Sequence, residues 1–276
     1  MSARRIGILH PGEMGSAVAA TMQSAGNEVF WVSEGRSSHT RERAAELGLV
    51  DALTLPRLCE TCSALVSVCP PEFADTVADQ ILACSFGGLY VDANAISPER
   101  VRCMDVRMRR GGVAFVDGSI IGLATRVPGS TWIFFSGERA AEAAACFGPG
   151  PLQAEVIEGE IGKASALKMC FAGYSKGSSA LLCAVLAVAE QLDVRPLLEG
   201  QWARMGGSPA NPSKTVANVG PKAWRFAPEM NEIAATFEAA GLPPEFHRAA
   251  AEVFSSLASF KGSKPSVEEV LRELTE

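Results

Sequence analysis

Short runs of apolar and β-branched residues alternate with longer amphipathic stretches through the first half of the chain. Arg5–Leu9, Glu28–Val32, Ala64–Val68, Leu89–Val91 and Val113–Val116 have the length and composition of strands, and each runs within a few residues into Gly, Pro, Ser or Asp. Between them, Met14–Ala25, His39–Leu47, Glu72–Ala83 and Pro98–Arg110 carry helical spacing, and Ser97-Pro98 offers an N-cap followed by a first-turn proline. This alternation predicts a parallel sheet covered on both faces. Thr131–Phe135 and Glu138–Cys146 add one more strand and helix to it.

After about residue 158 the texture changes. From Ile161 to about Leu192 there is no proline, and Ala, Leu, Lys and Met dominate, which predicts one helix of roughly 30 residues. The remainder is helical in pattern, with breaks at Gly206–Pro212, Gly220-Pro221 and Gly241–Pro244. The predicted fold is α/β: an N-terminal Rossmann-type doubly wound sheet over residues 1–158, then a long interdomain helix and an all-α C-terminal domain within residues 159–276.

Composition narrows the function classes. At 47% hydrophobic and 20% charged the chain is globular, and its net charge of −6, with basic residues dispersed except along Arg100 to Arg110, excludes nucleic acid as an expected partner. The Arg100–Arg110 run reads as a solvated helix face. The longest uncharged apolar stretch, Ala180–Ala189, falls short of the roughly 20 residues that span a bilayer, so no membrane partner is expected. Gly7, Pro11, Gly12 and Gly15 interrupt the N-terminal apolar run before a signal-peptide core forms, which points to the cytoplasm. The eight cysteines then read as reduced thiols. Cys59 and Cys62 form an isolated CxxC with no second pair and no histidine before Cys84, so buried packing is expected there and no metal.

The candidate chemistry begins at the first turn. Ile6-Gly7-Ile8-Leu9 runs into His10-Pro11-Gly12-Glu13-Met14-Gly15, a strand, a glycine turn and a helix start. Glycine lets backbone approach a pyrophosphate, and the positive helix end favours its charge. Gly12 and Gly15 serve those needs, while His10 stands where a GxGxxG pattern would carry its first glycine. At the end of the second strand, where a carboxylate would hold a ribose diol, the chain has Ser33 and then Arg36, Ser37 and Ser38, a set suited to a 2′-phosphate. NADP is therefore favoured as cofactor. Glu34, one residue further, keeps NAD as the alternative.

Further segments complete a recognisable set: Ser67-Val68-Cys69-Pro70-Pro71, Val91-Asp92-Ala93-Asn94, Val116-Asp117-Gly118-Ser119-Ile120-Ile121-Gly122, and Gly159-Glu160-Ile161-Gly162-Lys163 through Lys168. In this order and spacing the chain resembles the β-hydroxyacid dehydrogenases, the 3-hydroxyisobutyrate and 6-phosphogluconate dehydrogenases, as a divergent phosphogluconate-dehydrogenase-like branch. The resemblance covers nearly the full length. It implies that Pro11, Gly12, Glu13, Met14 and Gly15 form the pyrophosphate turn, and that Cys69-Pro70 lies beside the nicotinamide. It further implies that Asn94 approaches cofactor and substrate, that Ser119 and Gly122 lie in the substrate loop, and that Lys168 is the catalytic lysine. A homodimer through the helical domain, with active sites drawing on both helical domains, is implied as well.

Elementary chemistry agrees for Lys168. Hydride transfer to a carbonyl builds negative charge on oxygen, which an ammonium stabilises and protonates; in reverse, the neutral amine accepts the alcohol proton. Departures bear on the small-molecule substrate. Ile121 and Leu123 stand where the family continues Ser-Gly-Gly, Phe171 where it has asparagine, and Pro228-Glu229-Met230 where it has Lys-Asp-Leu. These changes favour a bulkier carbonyl, alcohol or imine, so an imine reductase on the same scaffold is one alternative. A dinucleotide-binding sensor that has lost its chemistry is another. Trp224, Phe226, Phe237, Phe246 and His247 read as packing residues.

Overall fold

In the computed structural model, which describes residues 3–124, 127–206 and 211–276, the first half of the chain builds one eight-stranded sheet. Its strands are β1 (Arg5–Ile8), β2 (Glu28–Trp31), β3 (Val50–Asp51), β4 (Ala64–Ser67), β5 (Leu89–Asp92), β6 (Ala114–Gly122), β7 (Thr131–Ser136) and β8 (Leu152–Val156). They lie in the order β3-β2-β1-β4-β5-β6-β7-β8. From β1 the chain winds outward to β3, then returns to the other side of β1 for β4, β5 and β6, all paired parallel. The topological switch thus lies between β1 and β4, at whose carboxyl ends open α/β sheets bind their ligands.

Period-two alternation sorts the strand side chains into two cores. Val66, Val91 and Val116 face α1 (Glu13–Ser24), α2 (Ser38–Glu46) and α6 (Ala140–Ala144), where Val18, Met22, Ala44 and Ala143 join them. Leu65, Tyr90 and Phe115 face α3 (Leu55–Thr61), α4 (Ala74–Ala83) and α5 (Pro98–Arg110), where they meet Leu58, Ile81 and Met104. Burial on both faces explains the unbroken apolar runs of β4 and β5. Ser97 caps α5 as expected, accepting from the Arg100 N–H, and Arg107, Arg109 and Arg110 sit in its last turn where cations favour the helix dipole.

One expectation is corrected: the sheet is mixed. β6 continues past Val116 to Gly122, and β7 returns antiparallel to it, Asp117 opposite Ser136 and Gly122 opposite Thr131. Residues 123–130 are too few for the dozen or more that a parallel crossover needs. Gly122 is required by this hairpin: its φ is +137°, and a Cβ there would lie 2.4 Å from the Ser130 carbonyl oxygen. The pattern also passed over β3, α3 and β8, the first two being too short to establish a period.

The chain divides into two compact units, Met1–Met169 and Cys170–Glu276. The boundary falls inside the long helix α7 (Lys163–Gln191). The second unit is all-helical, continuing with α8 (Arg195–Met205), α9 (Pro212–Val219), α10 (Ala223–Ala239), α11 (Glu245–Ser256) and α12 (Val267–Glu273). Gly206 ends α8 in the left-handed conformation at φ +65°, while the rest of the predicted break before Pro212 falls on residues 207–210, outside the described residues. Gly220-Pro221 makes one tight turn into α10. Gly173 and Gly177 let α7 come close to α10 and α11: a Cβ would lie 3.3 Å from Ile233 at the first and 3.0 Å from Phe246 at the second. His247 is buried there, edge-on to Phe237 and Phe246 with ring centroids 4.2 and 5.2 Å away, and Phe226 packs on Phe254 at 5.3 Å. By length and composition alone α7 is apolar enough to cross a bilayer, with a mean hydropathy of 1.3 over its best 18-residue window, more than Ala180–Ala189 alone suggests. Within the second unit, however, its mid-helix Lys176 forms a largely buried ion pair with Glu229 of α10 and stands 4.7 Å over the Phe226 ring.

Candidate functional site

The β1–α1 turn uses its two glycines differently. A Cβ on Gly15 would fall 2.0 Å from the His10 carbonyl oxygen, so only glycine lets α1 start this close to the strand. A Cβ on Gly12, the N-cap, would meet nothing within 4 Å. Gly12 therefore faces open space at the end of a helix whose first-turn N–H groups lack intrahelical acceptors, a cradle that fits a pyrophosphate. The turn is fixed by Gly12 N–H donating to the His10 carbonyl at 2.8 Å and by Ser16 Oγ donating to the Pro11 carbonyl at 3.3 Å. Glu13 is exposed, and Met14 packs partly into the core below.

Beside this turn opens a cleft of about 380 Å³. Leu9, Val32, Leu55 and Val77 supply apolar walls, and His10, Glu34, Arg36 and Gln80 supply polar groups. An apolar slot with a few converging polar groups fits an adenosine. Of the residues expected to choose the cofactor, Arg36 and Glu34 line the cleft, the Arg36 Nη2 donating to the Leu9 carbonyl at 3.2 Å, while Ser33 and Ser37 do not. Ser33 is buried, its N–H donating to Asp51 Oδ1 at 3.2 Å. Ser37 caps α2 through the Thr40 N–H, a structural duty its position before a helix could have announced. Burial, and after it the charge of Arg36, pulls the His10 imidazole down to about 4.

At the ends of β4 and β5, Asn94 is buried and committed within the protein. Its Oδ1 accepts from the Cys69 N–H at 2.6 Å, and its Nδ2 donates to Asp92 Oδ2 at 2.7 Å and Ser67 Oγ at 3.2 Å. The side chain therefore braces the Cys69-Pro70 loop, and both Nδ2 hydrogens are spoken for. Full burial raises Asp92 to about 7, against the lowering effect of the Asn94 hydrogen bonds. Burial likewise pushes the Cys69 thiol up to about 12, which keeps it neutral.

The third part is assembled where β6 and β7 meet α7. Asp117, buried, accepts at Oδ2 from the Ser136 hydroxyl (2.8 Å), the Gly162 N–H (2.9 Å) and the Ser165 N–H (3.1 Å), and at Oδ1 from the Ser165 hydroxyl (2.7 Å). Ser136 Oγ in turn accepts from the Ala164 N–H at 3.0 Å. First-turn donors of α7 are thus satisfied by one carboxylate and one hydroxyl of the sheet, and desolvation raises the Asp117 pKa despite them. Ser119 Oγ donates to the Ala164 carbonyl at 2.7 Å, and Lys168 Nζ donates to the Ile120 carbonyl at 2.7 Å. Lys168 and Ser119 are therefore brought together. Asp92 lies opposite Asp117 in the β5–β6 register, so Asn94 and Ser119 each stand two residues beyond a matched pair. Gly122 closes the hairpin, Ile121 is buried in it, and Phe171 is an exposed residue of the second unit. Sequence reasoning missed the bracing carboxylates. Their signal is a repeated Val-Asp at the end of a buried strand, Val91-Asp92 and Val116-Asp117. Among the described residues no group of three His, Cys, Asp or Glu is arranged to hold a metal, and Cys59 and Cys62 are buried thiols, both pushed up to about 12.

Comparison with known proteins places this geometry. Residues 5–146 match the NAD binding domain of 6-phosphogluconate dehydrogenase, and residues 189–257 match a domain of unknown function, DUF1932. An uncharacterised 28.5 kDa protein encoded in the 7S RNA 5′ region of Methanothermus fervidus is 30% identical over 196 residues, 68% of this chain and 72% of that one. Among solved structures, MTH1747, a conserved protein of unknown function with structural similarity to 3-hydroxyacid dehydrogenases, is 29% identical with a TM-score of 0.67, covering 93% of this chain and 97% of that one. The 3-hydroxyisobutyrate dehydrogenase of Mycobacterium tuberculosis, solved with L-serine, shares the fold with a TM-score of 0.74 at 17% identity over 100% of both chains. The chain belongs to the family of the 6-phosphogluconate dehydrogenase NAD-binding domain, as a divergent member in which that domain is joined to a DUF1932 segment.

Proposed function

We propose that the protein is an NADP-preferring oxidoreductase acting at a carbonyl/alcohol carbon of a small molecule, with Lys168 as proton donor and acceptor. The observation that carries this reading is the placement of the Lys168 ammonium on the Ile120 carbonyl at 2.7 Å, fixed by the Asp117 and Ser136 brace at the start of α7. A bound nicotinamide dinucleotide supplies or accepts the hydride. The protein's part is to hold a cation where charge develops on the substrate oxygen and to deliver the proton there. Ser119 and the braced Asn94 orient the surroundings, and Arg36 in the adenosine cleft supplies the charge a 2′-phosphate would meet. With Ile121 buried in the hairpin, the motive it lent to imine chemistry falls away, and retained Lys168 favours carbonyl chemistry.

The reading extends to assembly and place. Tyr174, Leu181 and Val188 recur every seven residues along α7 and are 82%, 52% and 53% exposed, an apolar stripe that supports a homodimer through the helical unit. Unpaired cysteines throughout the described residues suit the cytoplasm.

The test is Lys168→Ala and Lys168→Arg, with NADPH affinity followed by fluorescence and turnover measured on a panel of carbonyls, alcohols and imines. Turnover lost by about 10²–10⁴-fold with affinity retained supports the proposal. Turnover confined to imines would give the imine-reductase reading, and NADPH binding with no turnover of any compound by the unmodified protein would give the sensor.

A further inference from the structure

His10 stands at the wall of the adenosine cleft, on the residue where a dinucleotide turn usually carries glycine. Among the described residues, buried side-chain nitrogens or oxygens without a hydrogen-bond partner occur at four places: His10 Nδ1, Arg36 Nε, Tyr90 Oη and His247 Nδ1. Those of Tyr90 and His247 belong to no part of this cleft: the Tyr90 hydroxyl is fully buried near Asp92 and Ser67, and His247 packs between Phe237 and Phe246. The other two belong to residues that line one cleft together, and the protein provides no acceptor for either. Buried polar groups left unmatched beside one opening are expected where a ligand completes them. The Arg36 guanidinium is drawn inward to the Leu9 carbonyl, the residue beside His10. The carboxylate of the cleft, Glu34, is exposed.

We infer that His10 is a cofactor-specificity residue that works with Arg36: the pair forms a two-pronged seat for a phosphate monoester on the adenosine ribose, and the imidazole occupies the room a plain ribose diol would use. The inference rests on the NADP reading above and deepens it. Two chemical facts select the ligand class. A phosphate monoester offers three oxygens and a charge of about −1.5 to −2, enough to serve an arginine and an imidazole at once. A ribose diol carries no charge to offset the half-buried guanidinium. A phosphate beside Arg36 would also offset the positive charge that helps hold the imidazole neutral, so the two residues bind such a ligand better together than the sum of each alone.

The experiment measures affinities of the full-length protein for NADPH, NADH, 2′,5′-ADP and ADP by fluorescence and calorimetry, in the unmodified chain and in His10→Gly, His10→Gln, Arg36→Ala and the double variant His10→Gly/Arg36→Ala. Preference for the 2′-phosphorylated ligand of each pair is expected to drop about tenfold in His10→Gly, the size of one charge-assisted hydrogen bond. His10→Gln, which keeps a side-chain donor, is expected to retain part of it. The double variant should lose less than the product of the single losses. An unmodified protein that binds NADH as tightly as NADPH would overturn the NADP reading and this inference together. A clear NADPH preference that survives in both His10 variants would overturn this inference alone, because Arg36 would then act without His10.

Discussion

Asp117 grips Ser165 twice, accepting its hydroxyl at 2.7 Å and its backbone N–H at 3.1 Å, and so ties the start of α7 to β6. Asp117→Asn replaces one acceptor oxygen by a donor facing other donors. It should cost about 2–3 kcal/mol of stability by urea unfolding, through stranded buried groups. At temperatures where the variant is folded, kcat should fall while NADPH affinity holds, because Lys168 loses its registration but the β1–α1 turn does not. Equal loss of both would show that the brace serves the fold alone.

The two turn glycines should separate stability from binding. Gly15→Ala, with backbone 2.0 Å from the new Cβ, should lower the thermal midpoint by several degrees and abolish dinucleotide binding. Gly12→Ala meets open space and should leave the midpoint nearly unchanged while weakening NADPH by about tenfold or more, since the methyl would occupy the proposed cradle of the pyrophosphate.

Stability should carry opposite pH signatures from two residues. Asp92 is raised from 3.8 to about 7, so it adds stability below the unfolded pKa, and that contribution is lost as pH rises toward 7, at up to about 1.4 kcal/mol per unit. His10 is lowered from 6.5 to about 4, so its neutral, buried form adds stability above the unfolded pKa, and this is lost as pH falls toward 4. Unfolding free energies of Asp92→Asn and His10→Gln, each compared with the unmodified protein from pH 4 to 8, should therefore diverge with slopes of opposite sign. Parallel curves would contradict the assignments.

Asn94→Ala removes the acceptor of the Cys69 N–H and the donor to Asp92 and Ser67. A loss of about 1–3 kcal/mol is expected, with increased hydrogen exchange at the Cys69 amide. Protection unchanged at that amide would mean the loop is held by other contacts.

Much of this was readable in the chain before any coordinates. The strand–helix alternation, the long proline-free helix and the glycine turn are local patterns, and local patterns survive folding. What escaped was relational. Nothing in Asp117 or Ser136 alone says that they share the first turn of a helix some 30 to 50 residues on, because that acquaintance is made by a hairpin whose direction depends on loop length. Ser37 illustrates the opposite error: its residue type suits a phosphate, yet its place before α2 assigns it to a cap. Arg36 and His10 were noticed one by one, and only their sharing of a cleft gives them a common task.

β6 outruns its parallel neighbour. Its last residue opposite β5 is Asp117, and Ser119, Ile120 and Gly122 project beyond, paired with β7, whose other edge carries β8. Lys168, the proposed proton donor and acceptor, takes its bearing from the Ile120 carbonyl on that extension, so its aim is set by an outrigger and not by the strands that end beside the β1–α1 turn. On that proposal, retuning the chemistry asks for a change in the outrigger's pitch and leaves the β1–α1 turn untouched.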